Sequence, residues 1–114
     1  MLNQTTDAQL DLMFQALADP TRRQIVDRLS HGPASVSELA KPFAMSLPAV
    51  VQHVQVLEQS GLVRSQKTGR VRTCSIDAAA MTAAEHWLNQ RRLFWEQRLD
   101  RLGAFLAETS DDPT

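Results

Sequence analysis

Apolar side chains recur along this chain with a helical period, interrupted by short polar punctuation and, past the middle, by two β-capable runs. Leu10, Met13, Phe14 and Leu17 follow the i, i+3, i+4, i+7 spacing of one helix face. Asp19-Pro20 ends that helix and opens another, with Asp19 as N-cap and Pro20 in the first helical position, where its missing N–H is no loss. The second helix turns Ile25, Val26 and Leu29 inward and stops near His31-Gly32-Pro33. Ser35-Val36-Ser37-Glu38 fits a capping box and starts a short third helix that Pro42 limits, because an interior proline loses a donor and clashes with the turn before it.

Ser46 is the expected N-cap of a fourth helix, with Met45 and Val50 placed as a hydrophobic staple and Pro48 harmless in the first turn. Helical spacing puts Leu47, Val50, Val54 and Leu57 on a core side. Pro48, Ala49, Gln52, Gln55 and Gln59 lie opposite, with His53 and Val56 at the margin. Gly61 suits a left-handed helix end. Leu62 to Lys67 and Arg70 to Ile76 then flank Thr68-Gly69 as a hairpin, and a long helix runs from about Ala78 to Ala107. No internal repeat appears, and the ends, roughly residues 1–6 and 110–114, are expected to fray.

Charge sharpens this outline. The net charge is only −1, but residues 1–32, 33–75 and 76–114 carry −1, +3 and −3. Arg64, Lys67, Arg70 and Arg72 fall within nine residues that hold no acid, and a phosphate backbone meets such a local field rather than the sum. At 114 residues there is room for one domain, 1–114, with a modest core. No apolar run approaches membrane-spanning length, and the N-terminus lacks a signal-peptide layout. A lone Cys74 cannot form an internal disulfide. The expectation is a soluble cytoplasmic protein without a membrane association.

Short helices followed by a basic hairpin describe a fold that is mainly α with a small β-hairpin: a winged helix-turn-helix, dimerising through its N- and C-terminal helices. Its core spans about 10–107, the helix-turn-helix about 35–60, the wing about 62–76, and the dimerisation helices about 7–18 and 78–107. In such a fold the capped fourth helix enters the major groove, its predecessor crosses the backbone and the hairpin reaches adjacent phosphate or minor groove. Leu17-Ala18-Asp19-Pro20-Thr21-Arg22-Arg23, Ser37-Glu38-Leu39-Ala40, Ser46-Leu47-Pro48-Ala49-Val50 with His53 and Leu57, Gly61-Leu62-Val63 and Gly69-Arg70 occur in that order. Together they resemble the ArsR-type family of winged-helix bacterial repressors, in the branch with a tryptophan-rich terminal helix.

The resemblance implies a dimeric operator-binding repressor, often metal-responsive. This chain departs from the metal-sensing patterns. Where soft-metal sensors carry Cys-x-Cys in the third helix it has Glu38-Leu39-Ala40-Lys41-Pro42. Where others pair Asp-x-His with a later histidine set it has Asp77-Ala78-Ala79 and His86-Trp87-Leu88-Asn89. Tetrahedral sites need three or four nitrogen or sulfur donors, and His31, His53, His86 and Cys74 lie on separate elements. No metal site, cofactor or catalytic residue is expected, since no nucleophile–base pair or phosphate-binding glycine loop appears either.

Candidate residues follow from position. Glutamine pairs with adenine in a bidentate way, so Gln52 and Gln55 are candidates for base contact, and Ala49 for a thymine methyl. The bland reading is that all three are solvated helix residues. Ser46, His53, Arg64, Lys67, Arg70 and Arg72 are candidates for phosphate or wing contacts, the alternatives being packing for His53 and protection of an edge hairpin for the arginines. Arg22 and Arg23 are weaker candidates, one of them expected to pair with Asp27 or Asp19. Cys74 reads as a small buried hydrophobe. Phe14, Trp87, Leu88, Phe94, Trp95, Leu99 and Leu102 form an aromatic-rich stripe on the terminal helices that suits a twofold interface, although part of it must pack within the chain. The reading is a sequence-specific, homodimeric DNA-binding regulator whose partners are a double-stranded operator and a second copy; a small-molecule inducer is left unspecified. The alternative is a winged-helix protein-interaction module.

Overall fold

The computed structural model describes residues 6–110, without the side chain of Ser110. Its elements are α1 (Asp7–Ala16), α2 (Pro20–Leu29), β1 (Ala34–Ser35), α3 (Val36–Ala40), α4 (Leu47–Gln59), β2 (Val63–Thr68), β3 (Val71–Ile76) and α5 (Ala78–Ser110). Each helix start has a local cause. Thr6, Asp19, Ser35 and Ser46 accept from the amides of Gln9, Arg22, Glu38 and Ala49 at 3.0–3.3 Å. At Ser35 the box closes reciprocally, Glu38 Oε1 accepting from the Ser35 amide at 3.0 Å. Asp77 serves α5 in the same way, accepting from Ala80 at 3.2 Å. Thr6 and Ser110 were expected to fray, yet Thr6 caps α1 and Ser110 ends α5. The rest of that expectation falls on 1–5 and 111–114, outside the described residues.

Two units form along the chain, one ending at Ala83 and one beginning at Ala84. The first holds a single aliphatic core in which Met13, Ile25, Leu39, Val50, Val54, Leu57 and Leu62 are fully buried. Helix α4 contributes Val50, Val54 and Leu57 from one stripe. Leu47, expected on that stripe, is instead 48% exposed, because as the first helical residue it projects beyond the end of the core. Gly61 ends α4 with φ +85°, a left-handed conformation that favours glycine; a Cβ there would meet only the movable tip of the Gln9 side chain, at 3.2 Å.

The wing is part of a three-stranded antiparallel sheet in the order β1-β3-β2. The additional strand, absent from the sequence expectation, is the pair Ala34–Ser35 set against Cys74 and Thr73. Two residues are too short to show a period of their own. Thr68 pairs with Val71, so the hairpin loop is Gly69-Arg70 rather than Thr68-Gly69. Gly69 takes φ +63° at the first loop position, as a tight primed turn requires. The second unit is the helix from Ala84 on. It carries Leu88, Trp95, Leu99, Leu102 and Leu106, all about half exposed.

Candidate nucleic-acid interface

One face of α4 is fixed by the core, and that decides what the other face offers. With Val50, Val54 and Leu57 buried, Gln52, Gln55 and Gln59 project to solvent, and Ala49 is half-buried among them. The side chains of the three glutamines make no hydrogen bond within the chain, among the described residues, so their amide donors and acceptors are available to a partner. Ser46 Oγ is committed to the Ala49 amide, which shapes the helix start.

The wing cations divide into two kinds. Arg64 Nε lies 3.2 Å from Asp77 Oδ2, at the root of the hairpin. Arg72 donates to Ser65 Oγ at 3.1 Å and stands 3.8 Å from Glu58 Oε1 on α4. That carboxylate oxygen is buried without a hydrogen bond, so Arg72 is its nearest compensating charge and ties the wing to α4. Arg72 therefore stands within β3, committed to the chain's own Ser65 and Glu58. Lys67, directly opposite Arg72 in the register, and Arg70 in the loop have no acidic partner within 4 Å among the described residues. Two cations opposed across a hairpin repel, a cost that an external anion relieves.

At the margin of α4 sits a cluster that sequence reasoning missed. Arg22 Nε donates to Ala16 O at 2.7 Å, at the end of α1, and Nη2 to Gln15 O at 3.2 Å, a carbonyl that also accepts from the Ala18 amide. Its Nη1 lies 3.2 Å from His53 Nδ1 on α4. Arg23 reaches Leu17 O at 2.8 Å. Neither guanidinium forms the expected ion pair with Asp27 or Asp19, because the carbonyls of the preceding helix end are closer; it is the Arg22 backbone that bonds Asp19. That amide, aided by the Arg22 guanidinium, holds the Asp19 carboxyl below the usual carboxylate range. The one signal was two arginines directly after Asp-Pro-Thr, which leaves their destination open.

Residues 17–66 match the family model of a helix-turn-helix domain. The chain is 39% identical over 102 residues to the HTH-type transcriptional regulator Rv2034 of Mycobacterium tuberculosis, covering 90% of this chain and 92% of that protein. It is 54% identical to the crystal structure of an ArsR family transcriptional regulator, with a TM-score of 0.75 over 81% of this chain and 95% of the other. The chain belongs to the ArsR family of winged helix-turn-helix transcriptional regulators. It is also similar to the transcriptional repressor SdpR of Bacillus subtilis, at 28% identity over 67% of this chain and 84% of the relative.

In this ArsR-family regulator α3 and α4 are the helix-turn-helix and β2–β3 is the wing. Among the described residues no group of three or more His, Cys, Asp and Glu side chains is gathered as a metal would require. Burial pushes the Cys74 thiol up, the Glu58 carboxylate adds to that and Arg72 opposes it. No described helix is long and apolar enough to cross a membrane. The expected interface residues fall in two groups: Leu88, Phe94, Trp95, Leu99 and Leu102 are about half exposed or more, while Phe14 and Trp87 are partly covered. The Trp87 ring lies under the Arg91 guanidinium at 4.3 Å.

Proposed function

We propose that this regulator acts as a homodimeric repressor that occupies an operator and occludes a promoter. The observation that carries the reading is the exposed face of α4, where Gln52, Gln55 and Ala49 stand beside a wing whose Lys67 and Arg70 lack acidic partners among the described residues. In the dimer each α4 enters one major groove, the two about 34–36 Å apart along the duplex. Gln52 and Gln55 read base edges, Ala49 meets a thymine methyl, and Lys67 and Arg70 neutralise flanking phosphates. Ser46, Arg64 and Arg72 shape the contact surface through their bonds to Ala49, Asp77 and Glu58. A second copy covers the exposed stripe of α5, since a lone helix has nothing of its own to bury that stripe against. Selecting genomic fragments on the purified protein tests the proposal: enrichment of one inverted repeat is expected, and recovery of fragments without a shared sequence would contradict it.

Arg70 and Arg72 should separate in experiment. Arg70→Ala is expected to weaken operator and random duplex alike and to flatten the slope of log affinity against log salt by about 0.9, one phosphate contact. Arg72→Ala should instead lower thermal stability, because it strands the buried Glu58 oxygen. An unchanged salt slope for Arg70→Ala would remove the wing tip from the interface.

Metals should not control binding. Zinc, cadmium and arsenite are each expected to leave operator affinity within about threefold, below a typical allosteric coupling. A tenfold or larger metal-induced release that persists in Cys74→Ser would contradict this.

A further inference from the structure

The contact between Arg22 and His53 fixes more than packing. A guanidinium has only donors, so at 3.2 Å the His53 Nδ1 must accept, and the ring proton then sits on Nε2. Asp19 Oδ2 faces the same nitrogen from the N-cap of α2, but at 3.8 Å it is too far to hydrogen-bond. The guanidinium is itself immobilised by its bonds to Ala16 O and Gln15 O. His53 Nε2 has no hydrogen-bond partner among the described residues, and it is not sealed from solvent, since Glu58 Oε1 alone is both buried and unpartnered there. The ring sits on α4 one residue beyond Gln52, at the margin between the amide face and the core, where the sugar–phosphate rim of a groove would lie if Gln52 faces bases.

We propose that Arg22 is a positioning residue for DNA binding: it holds His53 in the Nε2–H tautomer, so that the ring donates a hydrogen bond to a backbone phosphate beside the groove that α4 reads. The inference rests on the DNA reading above and adds a contact to it. It also links the end of α1 to the recognition helix through one side chain. Because the donor is uncharged, this contact fixes register without displacing a counterion, and it differs in that respect from Lys67 and Arg70.

Two measurements on the full chain test it. Ring 15N spectra of the free protein should show Nε2–H as the dominant His53 tautomer, and in Arg22→Gln the two tautomers should mix. Duplex binding should then distinguish two amide replacements. His53→Gln, whose amide nitrogen reaches the Nε2 position, should stay within about threefold of wild type. His53→Asn, which reaches only the Nδ1 position, should lose about tenfold on operator and random duplex alike with the salt slope unchanged. In the His53→Asn background, Arg22→Gln should cost no further affinity. A dominant Nδ1–H tautomer would overturn the proposal even if a variant failed to fold. So would equal affinities of wild type and His53→Asn on a duplex that wild type binds, and that result would leave the DNA reading standing. Absence of any wild-type DNA binding would overturn both.

Discussion

Replacing Trp95 and Leu99 together by glutamate is expected to convert the protein to monomer and to lower its affinity for a two-half-site operator by about 100-fold or more, since joining two half-site contacts in one molecule multiplies affinity by about 10²–10⁴. Leu88, Trp95, Leu99, Leu102 and Leu106 follow one another at alternating seven-, four- and three-residue steps, which keeps them on one side of α5, and all remain about half exposed. Covering one half-exposed leucine contributes on the order of 1 kcal/mol, so a shared seam of this length suffices to hold a dimer. Phe94 and Phe105 flank it, 58% and 60% exposed. Sedimentation equilibrium reads the outcome, with the milder Trp95→Ala, Leu99→Ala variant as the control if charge in the seam makes the protein insoluble. A dimer of wild-type strength in both variants would place the interface elsewhere.

Gln52→Ala is expected to reduce operator affinity by about 1–3 kcal/mol per half-site while leaving random-duplex affinity nearly unchanged, because a bidentate amide–adenine contact discriminates between bases and phosphate contacts do not. The side chain is exposed, so its loss removes no core packing, and alanine favours the helix. Gln55→Ala should show the same signature at a neighbouring base pair. Competition binding with operator and shuffled duplexes at one salt concentration measures both; equal losses on the two duplexes would reassign Gln52 to the phosphate backbone.

Much of this arrangement was legible because its causes are local. Caps need one side chain and one amide three residues on, so Asp19, Ser35 and Ser46 could be placed from sequence. The amide face of α4 was legible for a similar reason: once Val50, Val54 and Leu57 face inward, geometry fixes where Gln52 and Gln55 point. What sequence left open depends on residues far along the chain. Arg22 follows Asp19 closely enough to suggest an ion pair, yet its guanidinium turns to carbonyls at the end of α1 and to a histidine 31 residues away. The basic stripe looked uniform, yet Asp77 and Glu58 claim Arg64 and Arg72 and leave Lys67 and Arg70 to a partner. Ala34–Ser35 becomes a strand only because Cys74 and Thr73 come to lie beside it.

The central claim, that α4 reads sequence while the wing holds the backbone, is tested most directly by titrating the purified protein with its selected operator and with a shuffled duplex of equal length at two salt concentrations. The operator should be preferred by about 10³-fold or more, and both affinities should fall steeply as salt rises. Equal affinity for the two duplexes, or binding indifferent to salt, would contradict it.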